Sequence, residues 1–106
     1  MSKITQEELT EILEDLRSNR ISELDLSWKG LTLDQVRQIS EALKGNTSLT
    51  SLDLHYNKIG AKGVEFLSKF LVGNTTLTDL YLSGNKIGAK GVEFLSKFLV
   101  GRFSNK

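Results

Sequence analysis

The hydrophobic positions of this chain recur at a constant interval. Ile21, Leu24, Leu26 and Leu31 return as Leu49, Leu52, Leu54 and Ile59, and again as Leu77, Leu80, Leu82 and Ile87. Each unit opens with strict alternation, as in Leu52-Asp53-Leu54, the spacing of a strand with one buried face. The spacing then becomes helical. Val64, Leu67 and Leu71 make one apolar stripe on a helix expected from about Ala61 to Val72, and Val36, Ile39 and Leu43 do the same one unit earlier. Gly45 and Gly73 follow these helices as stop signals. Each unit therefore reads strand, turn, helix, turn.

The first residues follow a different pattern. Thr5-Gln6-Glu7-Glu8 has the spacing of a capping box, with Ile4 and Leu9 placed as a hydrophobic staple around it. Leu9, Ile12, Leu13 and Leu16 form the apolar stripe of the helix that begins there, and Glu7, Glu8, Glu11, Glu14 and Asp15 form its polar back. A helix of this kind suits the outer end of an array.

A strand and helix this short cannot bury their apolar faces alone, so the units must stack. The fold class that follows is α/β, with a parallel three-stranded sheet on a concave face and helices on the convex side. The 106 residues allow one domain. It divides into an N-terminal cap helix (1–20), repeats at 21–48, 49–76 and 77–101, and a tail at 102–106. A fourth unit would require leucine at position 105, where the chain has asparagine. The array is thus expected to stop bare, with the strand near residues 79–83 as a sheet edge. Phe66 and Phe70 are expected to fill the groove between helices. Their copies Phe94 and Phe98, with Leu95, Leu99 and Phe103, are the candidate residues for self-association. Burying each such side chain is worth about 1.5–3 kcal/mol, unless Phe103 folds back over them.

Residues 46–73 and 74–101 are two copies of one unit differing at five positions, and the stretches 57–73 and 85–101 are identical. A recent duplication and a deliberately copied module would both leave this identity. The pattern LxxLDLxxNKIGxxGxxxLxxxL over residues 49–71 resembles the leucine-rich repeats of the ribonuclease-inhibitor subtype, also found in NOD-like receptors and Ran GTPase-activating protein. The resemblance covers residues 21–101. It implies a leucine-rich-repeat solenoid, a short right-handed horseshoe arc, in which Asn57 and Asn85 form a structural ladder of amides. It also implies protein recognition through the concave face and, by analogy alone, regulation of a small GTPase. Lys29 departs from the pattern at the asparagine position, where the ladder is expected not to continue. The four phenylalanines and the missing C-terminal cap depart from it too.

Alternation directs Ser51, Asp53 and His55 outward, and likewise Asp79, Tyr81 and Ser83. Four of the five differences between the copies fall here or just beyond: Ser51 to Asp79, Asp53 to Tyr81, His55 to Ser83 and Tyr56 to Gly84. The fifth, Ser48 to Thr76, lies off this face. Exposed helix positions such as Lys62, Glu65 and Lys69 did not change. With Glu23, Asp25, Ser27 and Trp28 from the first repeat, these residues form a patch of acids, hydroxyls and rings of interface composition. The first reading is a non-enzymatic module that binds a protein partner there. The second is a structural or engineered scaffold that self-associates through its uncapped end.

Charge bears on the second reading. The net charge of +1 offers no field for nucleic acid or a membrane surface, but residues 1–20, 21–56 and 57–106 sum to −2, −2 and +5. An acidic front and a basic back suit head-to-tail contact. Cysteine is absent, and neither a signal peptide nor a membrane-length apolar run occurs, so the expected location is cytoplasmic. His55 near Asp53, Asp25, Ser27 and Ser83 superficially resembles a catalytic or metal-binding set, but no oxyanion donors or ligand spacing accompany it, and no cofactor is expected. Asn46-Thr47-Ser48 and Asn74-Thr75-Thr76 match the glycosylation triplet but read as turns between repeats.

Overall fold

In a computed structural model, which describes residues 3–98 and 104–105, four helices alternate with four strands. The order is α1 (Gln6–Arg17), β1 (Glu23–Asp25), α2 (Leu33–Leu43), β2 (Ser51–Asp53), α3 (Gly60–Leu71), β3 (Asp79–Tyr81), α4 (Gly88–Phe98) and β4 (Ser104–Asn105). The strands form one parallel sheet in chain order. Glu23 pairs with Ser51 and Ser51 with Asp79, so the register between repeat strands equals the sequence period. The helices pack consecutively, α1 on α2, α2 on α3 and α3 on α4.

The core lies between these two layers. Leu9, Leu13 and Leu16 of α1, Val36, Ile39 and Leu43 of α2, and Val64, Leu67 and Leu71 of α3 are buried against Leu26, Leu49, Leu52, Leu54, Leu77, Leu80 and Leu82 from the sheet side. Both periodic stripes read from the sequence therefore meet. Phe66 and Phe70 were expected in the groove between helices. They are half-buried, with the ammonium groups of Lys62 and Lys69 each 5.7 Å from the ring centres. Ser40 of α2 and Ser68 of α3 are fully buried.

The helices begin in two ways. Thr5 and Glu8 make the reciprocal capping bonds of α1, and Thr32 with Gln35 repeats the device at α2. The box at Thr32 uses Gln35 in the role Glu8 plays in the first. At α3 no side chain caps the helix, and Gly60 enters it with φ of 68°. Its amide donates across the repeat boundary to the Asn85 carbonyl at 2.8 Å.

Two series of buried asparagines join the repeats. Asn57 Nδ2 donates to the carbonyls of Leu26 and Leu54, and its Oδ1 accepts from the amides of Lys29 and Leu31. Asn85 makes the same four contacts one repeat later, to Leu54 and Leu82 and from Asn57 and Ile59. The ladder thus reaches the first repeat through main-chain groups, although Lys29 replaces the asparagine. The second series was not anticipated. Asn46 donates to the Leu16 carbonyl at the end of α1 and accepts from Ser48 and Leu49, and Asn74 donates to Leu43 and Asn46 and accepts from Thr76 and Leu77. With their amides engaged and 3% and 2% exposed, neither is open to glycosylation in the folded chain.

The three repeat strands pair as the parallel sheet expected, but the open edge expected at β3 is corrected by β4. Ser104 and Asn105 pair in parallel with Asp79 and Leu80, a shorter step along the chain than the repeat period. Main-chain pairing requires no leucine, so the missing hydrophobic signal at position 105 did not prevent it.

These contacts generate two stability predictions. Asn57→Ala leaves several buried backbone groups without a partner and is expected to cost about 2–4 kcal/mol in urea unfolding, whereas Thr47→Ala on the exposed turn stays within about 0.5 kcal/mol. The Ser68 hydroxyl is buried without a hydrogen bond among the described residues, while Ser40 at the equivalent site donates to the Val36 carbonyl. Ser68→Ala is expected to raise stability by about 0.5–1 kcal/mol, and a lower urea midpoint would contradict this.

Candidate functional site

The register of the sheet aligns the outward side chains in rows across the repeats. Glu23, Ser51 and Asp79 form one row and Asp25, Asp53 and Tyr81 the next. Beyond the strand ends the amides of Trp28 and Tyr56 donate to the carbonyls of His55 and Ser83, which carries the alignment into the turns. Ser27, His55 and Ser83 continue the pattern, followed by Trp28, Tyr56 and Gly84. The residues expected at a binding surface therefore run together along the sheet and the turns that follow it. A depression of about 450 Å³ is lined by Glu23, Leu24, Asp25, Ser51, Asp53 and Tyr81.

The same turn is braced differently in successive repeats. Asp25 Oδ1 accepts from the Ser27 hydroxyl at 2.7 Å and the Ser27 amide at 2.9 Å. Chiefly the hydroxyl, then the amide, holds the Asp25 carboxyl below the usual carboxylate range. In the next repeat Asp53 Oδ1 accepts from the His55 amide at 3.0 Å and lies 3.1 Å from His55 Nδ1. The His55 ring is also in contact with Tyr56 and, edge-on, with Tyr81 at centroid distances of 5.7 and 5.5 Å. The Asp53–His55 pair thus orients a ring within an aromatic cluster. Among the described residues, no three His, Cys, Asp or Glu come together as a metal-binding group.

The end of this surface is an aromatic stack. Trp28 and Tyr56 lie with ring centroids 4.2 Å apart at 20°, and are 53% and 44% exposed. Both have φ of 59°, a left-handed conformation that bulky residues seldom adopt. Gly84 occupies the third position with φ of 73°, and a Cβ there would collide with the Tyr56 ring. The change from Tyr56 to Gly84 between the two copies is therefore coupled packing: the ring of one repeat occupies the space that the glycine of the next leaves vacant. Sequence comparison of the copies marks the position but not this dependence.

At the other candidate site, Phe94 and Leu95 are partly buried against the core, and Lys90 lies 5.5 Å from the Phe94 ring centre. The Phe98 side chain, Leu99 and Phe103 fall outside the described residues. Val92 was not among the expected residues. It is 50% exposed, whereas Val64, its copy under α4, is fully buried. Their local sequences are identical, so their tertiary surroundings distinguish them.

Comparison with known proteins agrees with this architecture. The model of the Leucine Rich repeat family matches residues 45–68 and 73–96, the twin repeats. A solved structure described as "Leiomodin-1 Actin-Binding Site 2 (ABS2)" superposes with a TM-score of 0.80 at 24% identity, covering 91% of this chain. The fold is a repeating α/β architecture of four helices and a parallel sheet, and the leucine-rich-repeat likeness falls on its twin repeats. The chain spans 61% of the leiomodin chain, less than two thirds of it. No curated protein matches the chain. No helix among the described residues is long and apolar enough to cross a membrane.

Two outcomes follow from the turn geometry. Gly84→Ala is expected to push Tyr56 out of its stack, shifting the emission of the single tryptophan and costing about 1–2 kcal/mol through its left-handed backbone alone. Ser27→Ala is expected to bring the Asp25 carboxyl back up toward 3.8, as read by NMR titration. Because the folded pKa of Asp25 is depressed, its contribution to stability is present above pH 3.8 and is lost as pH falls through the lower folded value. Acid unfolding of the variant should be correspondingly less steep.

Proposed function

We propose that this chain is a non-enzymatic recognition module that binds a protein through the sheet face, the concave side of a short solenoid closed at its front by α1. One observation carries the reading. The two twin repeats differ almost only at outward positions of this face, where Ser51, Asp53, His55, Asp79, Tyr81 and Ser83 stand beside Glu23, Asp25 and Ser27. The exposed Trp28–Tyr56 stack supplies large rings with little remaining freedom, as interface anchors require. The designation of the leiomodin neighbour as an actin-binding site agrees with protein recognition as the class of function, and identifies no partner for this chain.

The test is affinity capture with matched variants. Asp53→Ala combined with Tyr81→Ala is expected to lose at least tenfold in partner recovery, while Lys62→Ala with Lys69→Ala on the helix side retains it. A partner that stays on the sheet-face variant overturns the reading.

A second reading rests on Val92. A half-exposed valine on a face that buries its copy completely favours association of α4 with another copy of the chain. The acidic exposed positions Glu7, Glu11 and Glu14 of α1 complement the basic C-terminal half, which favours head-to-tail contact. Such heterologous contact produces open assemblies unless it closes. Light scattering over a concentration series is expected to show growth that Val92→Glu abolishes, and a monomer at every concentration excludes it.

A further inference from the structure

Charge on the sheet face has one sign. Its outward positions hold Glu23, Asp25, Asp53 and Asp79, and none of the 14 lysines and arginines falls within residues 23–28, 51–56 or 79–84. This segregation occurs on a chain whose overall charge is +1. Asp25 and Asp53 are also direct register partners on neighbouring parallel strands. Side chains opposite one another on neighbouring strands stand about 4.8 Å apart, so the register gathers two carboxylates, one braced by Ser27 and the other by His55, into one row that attracts a cation.

The third member of that row is Tyr81, which, with both aspartates, lines the depression. An aromatic face attracts a cation independently of the carboxylates. Trp28 and Tyr56 add two further exposed rings at the ends of β1 and β2. A guanidinium suits both features better than an ammonium does. It is planar, stacks on rings, is less strongly hydrated and presents a fork of donors to paired carboxylates.

We propose that the partner presents an extended arginine-bearing segment, with one guanidinium seated over the Asp25–Asp53 pair beside Tyr81. This rests on the reading of the sheet face as the recognition surface and adds the chemistry of what it recognises. The acidic face disfavours nucleic acid and anionic lipid as occupants.

The test uses the intact chain and amide NMR shifts. The probes are capped Gly-Ser peptides with three spaced arginines, and the same peptides with lysine or glutamate instead. The arginine peptide is expected to give saturable shifts confined to residues 23–28, 51–56 and 79–84, weakening as salt rises. Asp25→Asn with Asp53→Asn, checked for folding by circular dichroism, should weaken binding at least tenfold, and the glutamate peptide should not bind. Absence of saturable shifts, equal binding by the double variant, or shifts centred on Glu7, Glu11 and Glu14 of α1 overturns the proposal. Equal affinity for the lysine peptide overturns the guanidinium assignment. A silent arginine peptide alongside a partner released by the Asp53→Ala and Tyr81→Ala pair leaves the recognition surface standing and removes only its basic ligand.

Discussion

Each turn of this chain leaves backbone donors and acceptors facing a dry interior, and a buried asparagine amide from the next repeat satisfies them. Asn57 and Asn85 do so at one end of the strands and Asn46 and Asn74 at the other. A primary amide suits the task because it donates and accepts from one planar group. Since each amide must reach main-chain groups of the unit behind it, every repeat is locked in step with the one before, and the strand register follows. Asn46 extends the same bonding to the Leu16 carbonyl, which ties α1 to the array as one repeat is tied to another.

With the interior and both turn series held in this way, four of the five differences between the twin repeats fall on the outward side of the sheet or the turn that follows it. Even there variation is not wholly free. In its present position the Tyr56 ring leaves no room for a Cβ at Gly84, and Trp28 in turn rests on Tyr56. Bulky residues in left-handed turns are costly by about 1–3 kcal/mol each, and stacking offsets part of that. Asp25 with Ser27 and Asp53 with His55 show one brace made with two donors, so the turn persists while its outer chemistry changes.

The two ends differ for reasons of the same kind. α1 has its own capping box and an acidic back, whereas α4 repeats the sequence of α3. Val92 and Val64 occupy identical sequence, yet one is half-exposed and the other buried. β4 extends the sheet beyond β3 by parallel pairing.

Local pattern determined much of this protein. The period placed the repeats, alternation separated Leu52 and Leu54 from Asp53 and His55, helical spacing identified Val64, Leu67 and Leu71, and Thr5 with Glu8 marked the start of α1. These features depend on residues within a few positions of one another, where a side chain's direction follows from the backbone period. What the local pattern left open depends on atoms brought together from different repeats. The role of Asn46 and Asn74, the added strand at Ser104–Asn105 and the coupling of Tyr56 to Gly84 all arise across a repeat boundary. The opposed carboxylates of Asp25 and Asp53 belong to the same group: a whole repeat apart in sequence, they become neighbours only when parallel strands pair, and that proximity gives the sheet face its charge.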